Sequence, residues 1–225
     1  MKSTNWIILL LAAALVGVSI RLAYALNDRN DENEKEEAIS SATVSTDSNS
    51  QTNEKALECI MSRTSVREYS SEEISDSVIN TILKAGMAAP TAMNKQPWAF
   101  VVVSDKELKK AFAEKMPFGK MAGEASRMIV VCGDMNKAIE GEGRLNWVLD
   151  CSAATENILL AANALGVGSV WCGVWPSAER ALAIRSLLSM PEHLDPLCVV
   201  CLGYPKGKPV PKDKWNTANI FYNRF

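Results

Sequence analysis

The chain has 225 residues, 48% hydrophobic and 22% charged, a composition that lets a globular domain bury one sizeable core. Its formal net charge of -2 and sequence pI near 5.6 lack the basic excess of nucleic-acid binders, which excludes nucleic acid as a partner.

In chain order, residues 1–26 begin with Lys2, an apolar run from Trp6 to Ile20, and an Ala-x-Ala site at Ala23 and Ala25. This reads as a signal peptide or, if Leu22 to Leu26 extend the run, as an anchor tethering the chain to a membrane through residues 6–26. Either reading predicts export, periplasmic or membrane-anchored, with the orientation of an anchored form left open by the flanking charges. No cysteine precedes Cys59, so a lipid-modified N-terminal cysteine is excluded. Residues 27–53 have no aromatic and almost no apolar side chains, cannot offset chain entropy by burial, and are expected to form a disordered polar tether. The folded domain is expected over residues 54–225.

Within it, Leu57, Ile60 and Met61 suit a first helix ending near "SRTSVREY". Ser75 can cap a second, with Val78, Ile79, Ile82, Leu83 and Gly86 on one face until Pro90 stops it. "WAFVVV" reads as a buried strand, "DKELKKAFAEK" as a charged helix, "RMIVVCG" as a strand, and Leu145 to Leu165 as the longest apolar helix. A strand in "GSVWCGVW", a helix in "AERALAIRSLL" and a strand in "LCVVCLG" follow. The stretch from Lys212 to Phe225 carries Trp215, Ile220, Phe221, Tyr222 and Phe225 without helical periodicity, as an extended arm would. By pattern alone, this alternation predicts a parallel α/β sheet covered on both faces.

Several groups invite chemistry and are weighed against packing. Cys198 and Cys201 are three apart in a strand, so their side chains point to opposite faces and cannot share a metal or a disulfide. They are expected in the core, as are Cys132, Cys151 and Cys172. His193, the only histidine, sits in a loop between prolines, where solvent exposure is expected, and no metal site is expected around it. The glycines of "LGVGSVWCG" lead from helix to strand, the reverse of a dinucleotide fingerprint. What remains is polar and lies at element ends. In an extended segment Arg63, Ser65 and Arg67 share one face, two guanidiniums flanking a hydroxyl, which suits a phosphate. Lys212 and Lys214 can reach the same anion from the other end of the chain, and a turn rich in amides and hydroxyls follows Pro90.

"RTSVREYSSEEIS" and "VINTILKAGMAAPTAMNKQPWAFVVV", then "LDCSAATENILLAANALGVGSVWCGVWP" and "LGYPKGKPVPKDKW", together resemble the nitroreductase family of flavoenzymes over nearly all of residues 54–225. The resemblance implies an α+β fold, with a mixed central sheet flanked by helices, forming a homodimer with a domain-swapped C-terminal arm. It implies FMN as bound cofactor and NAD(P)H as donor, with hydride passing through flavin N5 to a nitroaromatic, quinone or similar acceptor by a ping-pong mechanism. Arg63, Thr64, Ser65 and Arg67 match the family's N-terminal FMN motif, with Arg67 the candidate cation near flavin N1. Thr91, Met93, Asn94 and Gln96 match the turn against the flavin, Asn94 being the leading candidate for a hydrogen bond to it. Cys172 and Gly173 match the segment near the N5 edge, and Lys212 and Lys214 the C-terminal phosphate contacts. Two alternatives remain: a flavin-dependent dehalogenase of an aromatic amino acid, disfavoured because the stretch between Phe112 and Ser126 lacks tyrosine and is short for that enzyme's lid, and an exported flavin-binding module without turnover.

Overall fold

The computed structural model describes residues 54–117 and 119–225. Residues 57–225 form one compact unit. The signal peptide or anchor and the tether lie outside the described residues, and among the described residues no helix is long and apolar enough to cross a membrane.

Local chemistry sets the element ends. Helix α1 (residues 54–62) is lashed to the later helix α4 (Asn146–Ala164), because Asn163 Nδ2 donates to Cys59 O and to Ser62 Oγ, both at 2.9 Å. Helix α2 (Asp76–Met87) starts where Ser75 Oγ accepts from Val78 N, with Asp76 in the first turn and Lys84 in the last, each opposing the local end of the helix dipole. It buries Ile79, Ile82 and Gly86. Gly86 allows close approach to α4, since a Cβ there would lie 2.8 Å from Ile158 Cγ1. Asp105 caps α3 (Lys106–Lys115), and Ser177 caps α5 (Ala178–Leu188).

Among the described residues the sheet has four strands, β1 (Trp98–Val103), β2 (Arg127–Asp134), β3 (Gly168–Gly173) and β4 (Leu194–Gly203), in the order β1-β2-β4-β3. Every strand pair is antiparallel, with Phe100 opposite Val131, Val130 opposite Val199 and Val170 opposite Cys201. The parallel sheet expected from helix–strand alternation is therefore corrected. Helices α2 and α4 cover one face, over Ile129, Val131, Cys198 and Val200. Phe112 of α3 and Ile184 of α5 cover the other, over Met128, Val130, Val199 and Cys201. A strand buried on both faces needs continuous apolar residues whichever way its neighbours run, so the sequence pattern did not carry strand direction.

Cys198 and Cys201 fall on opposite faces of β4, as the strand reading requires. The α+β fold expected from the resemblance holds. Among the described residues the parallel part of its mixed sheet is one isolated bridge, Ser65 with Ser169 on β3.

Candidate flavin site

The extended segment after α1 is fastened first to β3 and then to the stretch that follows β4. Val66 N donates to Ser169 O at 2.9 Å and Ser70 N to Tyr204 O at 2.8 Å. Between them Tyr69 is buried, its Oη 2.8 Å from Val66 O and 3.2 Å from Cys201 O. Burial pushes its phenol well above the ordinary range, so it serves as a neutral hydrogen-bonding peg. Val66 packs inward against Gly168, which leaves Arg63, Ser65 and Arg67 on the opposite side of the segment.

These three, with Thr64, Lys212 and Lys214, line one cavity of about 200 Å³. The alternate spacing and the distant C-terminal lysines thus converge as expected. Arg63 Nε lies 3.5 Å from Glu156 Oε1. Among the described residues no carboxylate pairs with Arg67, Lys212 or Lys214. Asp213, between the two lysines, instead accepts from Trp215 N at 2.9 Å. Clustered cations without counter-charge repel one another, and a bound dianion such as a phosphate relieves that repulsion.

Arg67 also lines a second, adjoining cavity of about 480 Å³ with Pro117, Lys120, Met121, Trp171, Cys172 and Gly173. Nothing lies within 4 Å of where a Gly173 Cβ would be, so a flat ligand can approach that backbone closely. Cys172 Sγ lies 4.0 Å from Cys201 Sγ and 3.9 Å from Met121 Sδ. Its contact with Cys201 lowers the Cys172 thiol and the charge of Arg67 acts the same way, while the contact and burial push Cys201 up.

The polar turn after Pro90 stands elsewhere. It leads into β1, the edge opposite β3, and Met93 lines a different cavity with Lys95 and residues 136–140. Its backbone is strained, with positive φ at Met93 (53°), Asn94 (54°) and Gln96 (49°). Thr91 Oγ1 accepts from Gln96 N at 3.1 Å, and Gln96 Nε2 donates to Asn94 Oδ1 at 3.0 Å. From below, the buried Asp150 of α4 accepts from Ala92 N at 2.8 Å. Within one chain, Thr91, Met93, Asn94 and Gln96 are therefore not brought to the residues around Arg67. Sequence reasoning missed Asp150, whose only signal was an acid inside the apolar stretch "WVLDCSAA". It also missed Pro117, Lys120, Met121 and Trp171, none of which carries a spacing signal.

The nitroreductase family pattern matches residues 60–122 and 115–204. A curated relative from Archaeoglobus fulgidus, "Putative NADH dehydrogenase/NAD(P)H nitroreductase", is 52% identical over 155 residues, covering 69% of this chain and 88% of its own. A crystal structure of the same description from Parabacteroides distasonis is 40% identical with a TM-score of 0.72, covering 76% of this chain and 98% of that one. The NADPH:FMN oxidoreductase of Vibrio harveyi complexed with NAD+ is 26% identical with a TM-score of 0.69, covering 76% and 78%.

These matches overturn the expectation of export. They place the chain among NAD(P)H enzymes, whose donor is not freely available to an exported domain. The apolar run from Trp6 to Ile20, short for a membrane span of about 20 residues, counts against the anchored form alone. With the fold, the cation-lined cavity and the matched segments in agreement, the chain belongs to the nitroreductase family and is an NAD(P)H-dependent oxidoreductase that uses FMN.

Proposed function

We propose that the chain is the subunit of a homodimer that reduces a nitroaromatic, quinone or similar small acceptor with NAD(P)H in ping-pong fashion. The observation carrying this reading is the pair of cavities joined at Arg67, one ringed by cations and the other walled by Pro117, Met121 and Trp171. The residues fit FMN: Arg63, Lys212 and Lys214 would hold the phosphate, with the Thr64 and Ser65 hydroxyls as further donors. The charge of Arg67, at the junction, would stabilise a reduced anionic ring. Cys172 and the open backbone at Gly173 would flank the ring.

The chemistry FMN supplies when bound is two-electron exchange between a nicotinamide and a small acceptor. Overall, NAD(P)H, a proton and a quinone become NAD(P)+ and a hydroquinone; with a nitro group the products are NAD(P)+, a nitroso group and water. A cavity of about 480 Å³ takes one aromatic ligand beside a ring, so donor and acceptor occupy it in turn. No side chain of this chain acts as a nucleophile.

The turn at the β1 edge is three strand spacings from β3, about 14 Å at about 4.8 Å each. A second copy resolves that separation by presenting its own Thr91, Met93, Asn94 and Gln96 to the flavin. The exposed apolar side chains Leu57, Ile60, Met61, Leu145 and Leu149 offer a face for that copy, and Trp215, Phe221, Tyr222 and Phe225 an arm to wrap it.

The test is the visible spectrum of the purified protein, before and after anaerobic NADH or NADPH. A flavin spectrum that bleaches, and recovers on adding a quinone or nitroaromatic, is expected. Flavin that no nicotinamide bleaches would overturn the donor, and failure to take up supplied FMN would overturn the site.

A further inference from the structure

The larger of the two cavities joined at Arg67 holds a cation that the FMN contacts leave unused. Lys120 lines it beside Arg67, and no lining residue is acidic. Among the described residues its ammonium has no carboxylate or carbonyl partner.

Lys120 also stands on a firm base. It opens a short 3-10 turn (Lys120–Gly123) in which Ala122 is fully buried. Ala122 N donates to Gly119 O at 2.8 Å, and Gly119 N to Met116 O at 3.0 Å. Met121 is held with its Sδ 3.9 Å from Cys172 Sγ. Gly119 sits so close to α3 that a Cβ there would lie 2.8 Å from Met116 Cβ and 3.0 Å from Phe112 Cε1. A lysine on a mobile loop gains little from an ion pair because ordering it costs entropy. Here the turn beneath Lys120 is already tied down by hydrogen bonds, and Pro117, Met121 and Trp171 supply apolar surface for a bound ring.

We propose that Lys120 is a specificity-determining residue that selects acceptors carrying an acidic group, a carboxylate or sulfonate on an aromatic or quinonoid body. The inference rests on the flavoenzyme reading above and names the substrate class of its site. Arg67 is committed to the flavin, the apolar walls take the body of the acceptor, and Lys120 takes its anion. The donor is anionic too, through its pyrophosphate, so the test separates the two sources.

The first measurement needs no turnover: benzoate and its neutral counterpart benzamide are titrated into the oxidised FMN-loaded protein and followed by perturbation of the flavin absorbance. Wild type is expected to favour benzoate by about fivefold, the upper range for an exposed ion pair. Lys120→Met should bring the ratio to about one, and Lys120→Arg should retain most of it. The second measurement is kcat/KM for 1,4-naphthoquinone-2-sulfonate and for 1,4-naphthoquinone, with the KM for NADH and NADPH, in the same variants. Loss confined to the sulfonate supports the inference. An unchanged benzoate-to-benzamide ratio in Lys120→Met overturns it, as does a raised donor KM with the acid preference intact, which would assign Lys120 to the donor. Failure of NAD(P)H to bleach the flavin would count against the donor assignment alone, since the titration still decides Lys120.

Discussion

Asp150 shows how far the turn at the β1 edge, which the proposed homodimer sets against the flavin, depends on a residue that touches no ligand. Its carboxylate is buried in α4 and accepts from Ala92 N, at the start of a turn with three non-glycine residues at positive φ. Such a conformation persists only where its surroundings impose it. Asp150→Ala is expected to weaken FMN binding about five- to tenfold, the worth of about 1 kcal/mol of lost hydrogen bonding, measured by flavin fluorescence titration. Asp150→Asn, which keeps an acceptor oxygen, should retain most of the affinity. Glu73 gives a pH prediction. Hydrogen bonds from Ser126 and Arg127 hold its carboxyl below the ordinary 4.5. A depressed carboxyl contributes stability that is present above its unfolded value and lost as pH falls through the folded one. Glu73→Gln should therefore flatten the fall in thermal midpoint below pH 4.5, modestly because Glu73 is largely exposed.

The elements themselves were largely legible because their signals are local. The Ser75 cap, the 3.6-residue repeat of Ile79, Ile82 and Gly86, and the apolar run of β1 all lie within a few residues of what they specify. Strand order and direction were not legible, since Val130 and Val131 face opposite helical layers and would look the same beside a parallel neighbour. Arg63 and Arg67, two of the cations of the smaller cavity, could be read from alternate spacing in one extended segment, whereas the walls of the adjoining cavity come from three separated stretches brought together only by the fold. Contact between α2 and α4 is set by Gly86 against Ile158. Gly86→Val should cost about 1–3 kcal/mol by overpacking, read as a lower urea midpoint, with a partial recovery when Ile158 is also trimmed to Val.

At the scale of the whole molecule, the chain leaves large apolar side chains uncovered at both ends of the unit, Leu57, Ile60 and Met61 on α1 and Trp215, Phe221 and Phe225 on the arm. If the proposed homodimer is held by this arm, removing residues from Trp215 onward should shift dimer to monomer by light scattering and lower the flavin content, although Lys212 and Lys214 remain. The placement of the strained turn and the cationic segment at opposite edges of one sheet has a genetic consequence. If each site draws its turn from one copy and its cations from the other, a variant disabled at Arg67 and one whose turn is disabled outright damage different halves of the site. Co-expressed, they would form mixed pairs in which one site carries both lesions and its twin carries none. Two inactive alleles would then restore about a quarter of normal activity by complementation, while either allele alone stays silent.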